Sequence, residues 1–289
     1  MGTYAPEPTG SSALPAELER AADSLDVADI EAILTVGSLE LEGRLVSASN
    51  ASFLAQVSLG GASLSCIYKP VQGERPLWDF PDGTLAGRER AARLVSEAGG
   101  FDVVPPTVLR DDGRFGPGMC QLWVDVGSSQ EHNLIDVVAM SFGEEGWLTV
   151  LEAEDHRSRP VLLVHRDDDQ LRDMAVLDAV INNADRKGGH ILPDEAGHVW
   201  GCDHGVCFHV EDKLRTVLWG WADEPLRAGD TERLARLSRK LDGNLAAELS
   251  ALLTRREVAA LRRRVAQLLT SEVMPLPSGD WPAIPWPAF

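Results

Sequence analysis

Cysteine is scarce in this chain. Four cysteines in 289 residues cannot build a disulfide framework, so the fold must rest on a hydrophobic core, and a reducing cytoplasm is the expected location. Cations are in deficit too: 27 Lys and Arg face 45 Asp and Glu, a net charge of −18. Such a chain repels phosphate backbones and anionic surfaces, which argues against nucleic-acid partners. Long apolar runs are missing. The stretch 161–164 is typical and falls far short of the roughly 20 residues that span a bilayer. Residues 1–12 lack both a basic start and an apolar stretch, so neither a secretory leader nor integral membrane association is expected. No internal repeat and no G-x-G-x-x-G loop occur.

What is present is 44% hydrophobic residues, enough to bury a large core in one big domain or two lobes. Residues 1–13 read as a loose tail, and a helix is expected over 15–34, stopping at Val36-Gly37. Apolar and polar residues then alternate over 38–46, 52–59 and 62–68, with short turns between them, which predicts an antiparallel meander. A helix over 85–98 closes at Gly99-Gly100. Strands follow near 107–109 and 119–126. The expected division is therefore a leading tail and helix at 1–36, a β-rich lobe at 37–128, and a mainly helical lobe at 129–289 ending in a Pro/Trp-rich tail.

In that second lobe, Asp167-Asp168-Asp169 opens a helix, where carboxylates favour the positive end of the dipole. Its apolar residues recur at helical spacing until Asn182 breaks into a loop. A hairpin of Ile191-Leu192 with Val199-Trp200 follows. Residues 229–271 give two or three helices. The tail from Pro275 holds five prolines and two tryptophans. It either offers a site for a protein partner or folds back on its own lobe.

Phosphoryl transfer needs a cation for phosphates, a carboxylate for metal, a group to orient the attacking hydroxyl, and a backbone cradle. Lys69 ends the third strand; the plain alternative is an exposed edge lysine. Glu89 on the next helix can pin that lysine, or can sit on a solvated face beside Arg93. Residues 47–52, with Ser49 and Asn50, can fold N–H groups over phosphates or form an ordinary turn. Asp185 lies in the polar loop Asn183-Ala184-Asp185-Arg186-Lys187-Gly188-Gly189, directly after an apolar helix. Asp203 sits in Gly201-Cys202-Asp203-His204-Gly205, eighteen residues on, as a metal ligand or a turn aspartate.

This order of Lys69, Glu89, an Asp-Arg loop and Asp-x-Gly resembles the phosphatidylinositol 3/4-kinase-like superfamily. HipA kinases and secretory-pathway Golgi kinases are its wider relatives. The stretch 177–186 carries the likeness most specifically, and the whole covers roughly residues 38 to 225. The resemblance implies an α+β, two-lobed, protein-kinase-like fold that uses ATP with Mg²⁺ or Mn²⁺. It implies that Lys69 binds the α- and β-phosphates, that Glu89 orients it, and that Asp185 takes or orients the proton of the acceptor hydroxyl. Asp203 would hold the metal, and the segment Gln121, Leu122, Trp123 and Val124 would meet adenine through its backbone.

One position departs from the family pattern. Where many relatives carry a metal-binding Asn, five residues after the catalytic Asp, this chain has His190. Imidazole shifts the preference toward Mn²⁺, leaves the metal alone, or weakens catalysis. The expected activity is a kinase acting on a hydroxyl of a small molecule, a lipid headgroup or a protein. A nucleotide-binding pseudokinase or scaffold and an AMP transferase on the same fold are the alternatives.

Two further motifs are discounted. His165-Arg166-Asp167 imitates a protein-kinase catalytic loop, but Arg172 stands where that loop needs Asn. Cys202, His204, Cys207 and His209 alternate along one short stretch, a poor spacing for zinc.

Overall fold

The structure is a computed structural model, and it describes residues 25–45, 50–80, 84–127 and 133–289. The chain starts with helix α1 (Val27–Val36), capped by the Asp26 carboxylate, which accepts from Asp29 N–H. The part of the expected helix before residue 25 lies outside the described residues. Five strands follow: β1 (Ser38–Arg44), β2 (Phe53–Leu59), β3 (Ala62–Pro70), and, after helix α2 (Leu85–Gly99), β4 (Thr107–Gly113) and β5 (Gly116–Leu122). They form one antiparallel sheet in the order β1-β2-β3-β5-β4. The β2–β3 hairpin turns on Gly60 and Gly61, both in the positive-φ region that glycine enters without strain.

Helix α2 is fixed at both ends. Thr84 Oγ accepts from Gly87 N–H, and Gly100 closes the helix in the left-handed conformation. One face of the sheet and α1 share a small core of Ile33, Leu34, Ala55, Val57, Cys66 and Tyr68. Helix α2 turns Ala91, Ala92 and Val95 into a second, larger core, so it faces both halves of the molecule.

The chain beyond residue 133 opens differently from the sequence reading. Strands β6 (Ile135–Ala139), β7 (Trp147–Glu154) and β8 (Pro160–Arg166) form a three-stranded antiparallel sheet, ordered β6-β8-β7, at the start of the lobe expected to be mainly helical. The apolar run at 161–164 is its central strand. Helices dominate from there on. Helix α3 (Asp169–Ile181) begins at the Asp168 cap and stops at Asn182, φ 55°. The hairpin β9 (Ile191–Pro193) and β10 (Val199–Gly201) follows. Helices α4 (Ala228–Leu241), α5 (Leu245–Ser250) and α6 (Arg255–Ser271) complete the larger core. The observed architecture is thus α+β, a small antiparallel sheet lobe followed by a helical lobe. Among the described residues no helix is long and apolar enough to cross a membrane.

Candidate functional site

Lys69 is not an edge residue. Strand β3 lies between β2 and β5, and Lys69 faces Met119 in register. Its ammonium donates to Glu89 Oε1 at 2.8 Å and to Asp203 Oδ1 at 2.7 Å. Residues 69, 89 and 203 thus meet at one nitrogen, joining β3, α2 and the turn after β10. Burial works against the ammonium, but Asp203 and Glu89 outweigh it and push its pKa up, so Lys69 stays charged. Glu89 is buried, not solvated. Burial pushes its pKa up, while Lys69 and the His204 N–H, 2.8 Å from Oε2, pull the other way.

Asp203 adopts φ 61°, a left-handed conformation that aspartate tolerates better than most residues. The Lys69 charge holds its carboxyl below the usual range against the cost of burial, and the half-exposed carboxylate is ionised. Beside it, His190 brings Nε2 to 3.4 Å from Asp203 Oδ2. The other ring nitrogen of His190, Nδ1, is buried without a hydrogen-bond partner. Burial lowers the His190 pKa, so the ring is neutral and able to ligate. Cys202, next in the chain, has its thiol pushed up to about 12 by burial and stays protonated.

The Asp185 loop is positioned by a residue the sequence reading passed over. Arg186 is fully enclosed, and two of its nitrogens grip both oxygens of Asp178 on α3 at 2.9 Å. Nη1 also donates to Cys202 O at 3.1 Å, and Nη2 lies 2.7 Å from His204 Nε2. Because guanidinium only donates, His204 must accept at Nε2 and carry its proton at Nδ1. One side chain therefore ties the loop of Asp185 and His190 to the turn of Asp203. Asp185 itself remains partly exposed, with Lys187 Nζ 3.1 Å from Oδ2. Asp178 shares the helical spacing of Leu171, Met174, Ala175 and Ile181, which puts it on the buried face; that it answers Arg186 is what no spacing shows.

No protein-family model matches the chain. Protein Rv2133c of Mycobacterium tuberculosis H37Rv is 52% identical over 268 residues, spanning 90% of this chain and 96% of that protein. The chain belongs to the Rv2133c family. Among solved structures, the Golgi casein kinase covers 84% of this Rv2133c-family chain and 73% of its own, at 14% identity and a TM-score of 0.49. The Helicobacter pylori proinflammatory kinase CtkA covers 83% of this chain and 94% of its own, at 12% identity and a TM-score of 0.40.

The remaining expected site residues of this Rv2133c-family chain fall into two groups. Ser49 lies outside the described residues, while Asn50 is engaged, its Oδ1 accepting from Arg75 N–H at 2.9 Å. In the 121–124 segment, Gln121 is buried and donates to Thr107 Oγ at 2.8 Å. The Leu122 and Trp123 N–H groups already donate to Pro106 O and Ser65 O. Both of those N–H groups are therefore engaged within the protein. His165 of the discounted motif is buried at the end of β8, accepting from Gly220 N–H at Nε2. A mostly apolar cavity of about 760 Å³ lies elsewhere, between Ala179, Leu214, Leu268 and Met274. Chemistry follows converging charged groups, which stand around Lys69.

Proposed function

We propose that the chain is an ATP-dependent phosphotransferase of protein-kinase-like design, within or near the phosphatidylinositol 3/4-kinase-like group, acting on a hydroxyl acceptor in the cytoplasm. One observation carries the reading: Lys69 Nζ bonded to both Glu89 and Asp203. A lysine held charged at the end of an interior strand, with one carboxylate fixed behind it and another in front, is built to receive phosphate oxygens. Glu89 orients the ammonium. Asp185 takes the hydroxyl proton. Asn50 would border the phosphates, and Gln121 to Val124 would border adenine.

The donor set fits a metal that arrives with the nucleotide. Among the described residues no three His, Cys, Asp or Glu side chains converge into a cage. Mg²⁺ commonly takes one or two carboxylates and completes its shell with phosphates and water, which suits Asp203. His190 Nε2, 3.4 Å from Asp203 Oδ2, would add a donor that Mn²⁺ accepts more readily. When bound, the metal neutralises charge on the phosphates. The same His190 supports a second reading, a nucleotide-binding chain with slow or no transfer. Product mass separates both from AMP transfer, because the adducts differ.

The test is thermal unfolding with ATP, alone and with Mg²⁺ or Mn²⁺, on the wild type and Asp203→Ala. A ligand that binds only the folded state raises the midpoint, by an amount set by about 2.7 kcal/mol at a hundredfold excess over Kd. The wild type is expected to gain a metal-dependent shift that Asp203→Ala loses. No shift in the wild type would end the reading.

A further inference from the structure

The segment 281–289 folds back along the helical lobe and reaches the Asp185 loop. Lys213 Nζ lies 4.1 Å from the Trp281 ring, and also donates to Asp79 of the β3–α2 connection at 3.2 Å. Ala283 O then accepts from Thr216 N–H at 3.1 Å and from the Trp219 indole at 2.8 Å. Ile284 and Ala288 pack on the large core. Ala288 O accepts from Gly188 N–H at 2.8 Å, and the Phe289 ring covers Gly188 so closely that a Cβ there would stand 2.6 Å from it. Gly188 is three residues past Asp185.

The match between groove and occupant is chemical. The groove offers N–H donors, from Gly188, Thr216 and Trp219. The occupant has proline at 282, 285 and 287, so it is rich in carbonyls and poor in competing N–H groups, and it bends at 281, 283–284 and 286–287 as it follows the groove. Gripping a chain by its backbone carbonyls is a means of holding a peptide whatever its side chains. Phe289, the residue over Gly188, has no hydroxyl.

Resting on the phosphotransferase reading, we infer that this groove is the acceptor site for a polypeptide segment, and that segment 281–289 occupies it as an unreactive stand-in. A hydroxyl residue at the place of Phe289 would be the acceptor. Its oxygen would form a bond to the γ-phosphorus as the bond between that phosphorus and the β–γ bridging oxygen breaks. ADP would leave, and the hydroxyl proton would pass to Asp185. The segment must be displaced before a substrate segment docks. Two backbone N–H groups and an indole that meet the carbonyls of Ala283 and Ala288, five residues apart, span a length of peptide rather than one small polyol or headgroup.

Full-length Phe289→Ser and Trp281→Ala test this with ATP and Mn²⁺. Phe289→Ser should gain one phosphate on residue 289, found by peptide mass, at a rate independent of protein concentration. Trp281→Ala, with the anchor at Lys213 loosened, should release ADP about tenfold faster than the wild type, because the open form becomes more populated and water gains access. A synthetic peptide of residues 281–289 should suppress that gain. Absence of phosphate from position 289 of Phe289→Ser together with wild-type ADP release from Trp281→Ala, in variants that still show the nucleotide–metal thermal shift, overturns the groove assignment and leaves the cleft reading intact. A lower melting point as the sole effect of Trp281→Ala has the same meaning. Absence of the thermal shift in the wild type removes the cleft reading, and the groove with it.

Discussion

Arg186 shows how one enclosed cation can be tolerated. Both oxygens of Asp178 face it, and its other donors end on Cys202 O, His190 O and the His204 ring. A buried charge with every donor answered is stable enough, whereas removal of one partner strands the other. His165 makes the opposite choice and stays neutral. Its Nδ1 bonds Arg166 O, its Nε2 accepts from Gly220, and burial lowers its pKa below the ordinary 6.5. The unfolded chain therefore takes up a proton below pH 6.5 that the folded chain resists. Stability is complete above that pH and is lost as the pH falls toward the folded value. His165→Gln, which keeps an acceptor for Gly220, should lose part of this acid sensitivity. Denaturant titrations at pH 7 and pH 5 should differ less in the variant than in the wild type, by up to about 2 kcal/mol. An unchanged difference would show that His165 is not the titrating group.

At the level of elements, the parts with local punctuation were readable in advance. Gly60-Gly61 marks the β2–β3 turn, Gly99-Gly100 ends α2, and Asp168 starts α3. Lys69 and Glu89 came with those elements. The sheet of β6, β7 and β8 did not, because the apolar run Val161-Leu162-Leu163-Val164 lacks the two-residue alternation of a half-buried strand, and its pairing partners are set by tertiary packing. The roles of Asp178 and Arg186 were also hidden, since spacing puts a carboxylate on the buried face without showing which cation it answers. Tail docking depends on contacts 64 to 100 residues apart, which no local pattern encodes. Strand β5 gives an element-scale prediction. A Cβ at Gly118 would stand 2.5 Å from Lys69 O and 2.8 Å from Pro70 Cα, both backbone. Gly118→Ala must push β5 off β3 beside the lysine, at a cost of about 1–3 kcal/mol. A lower urea midpoint and a smaller ATP–metal thermal shift are expected together. A variant with the wild-type midpoint would show that the strands yield freely.

The whole molecule carries a net charge of −18 and, on the proposed reading, has to admit a polyanion. Its field opposes that entry, so binding depends on a few fixed cations. Long-range ties also limit how far the halves can move independently. His204 N–H and Arg88 Nη1 link the turn after β10 to α2, and Lys213 joins the β3–α2 connection to segment 281–289.

The two hydrogen bonds of Lys69, to Glu89 and Asp203, bear on the order of events in the proposed reaction. With no phosphate present, Asp203 already has a cation, and a metal ion would have to compete with an ammonium for Oδ1. Phosphates that draw Lys69 away vacate that oxygen, so nucleotide and metal each raise the other's affinity, and by the same factor. Such reciprocity is typically worth about 1–3 kcal/mol. Metal alone should therefore leave the wild-type melting point almost unmoved, yet raise that of Lys69→Ala, in which Asp203 is free. Equal shifts in both chains would contradict it. The lysine that welcomes the triphosphate is, until then, the lock on the metal seat.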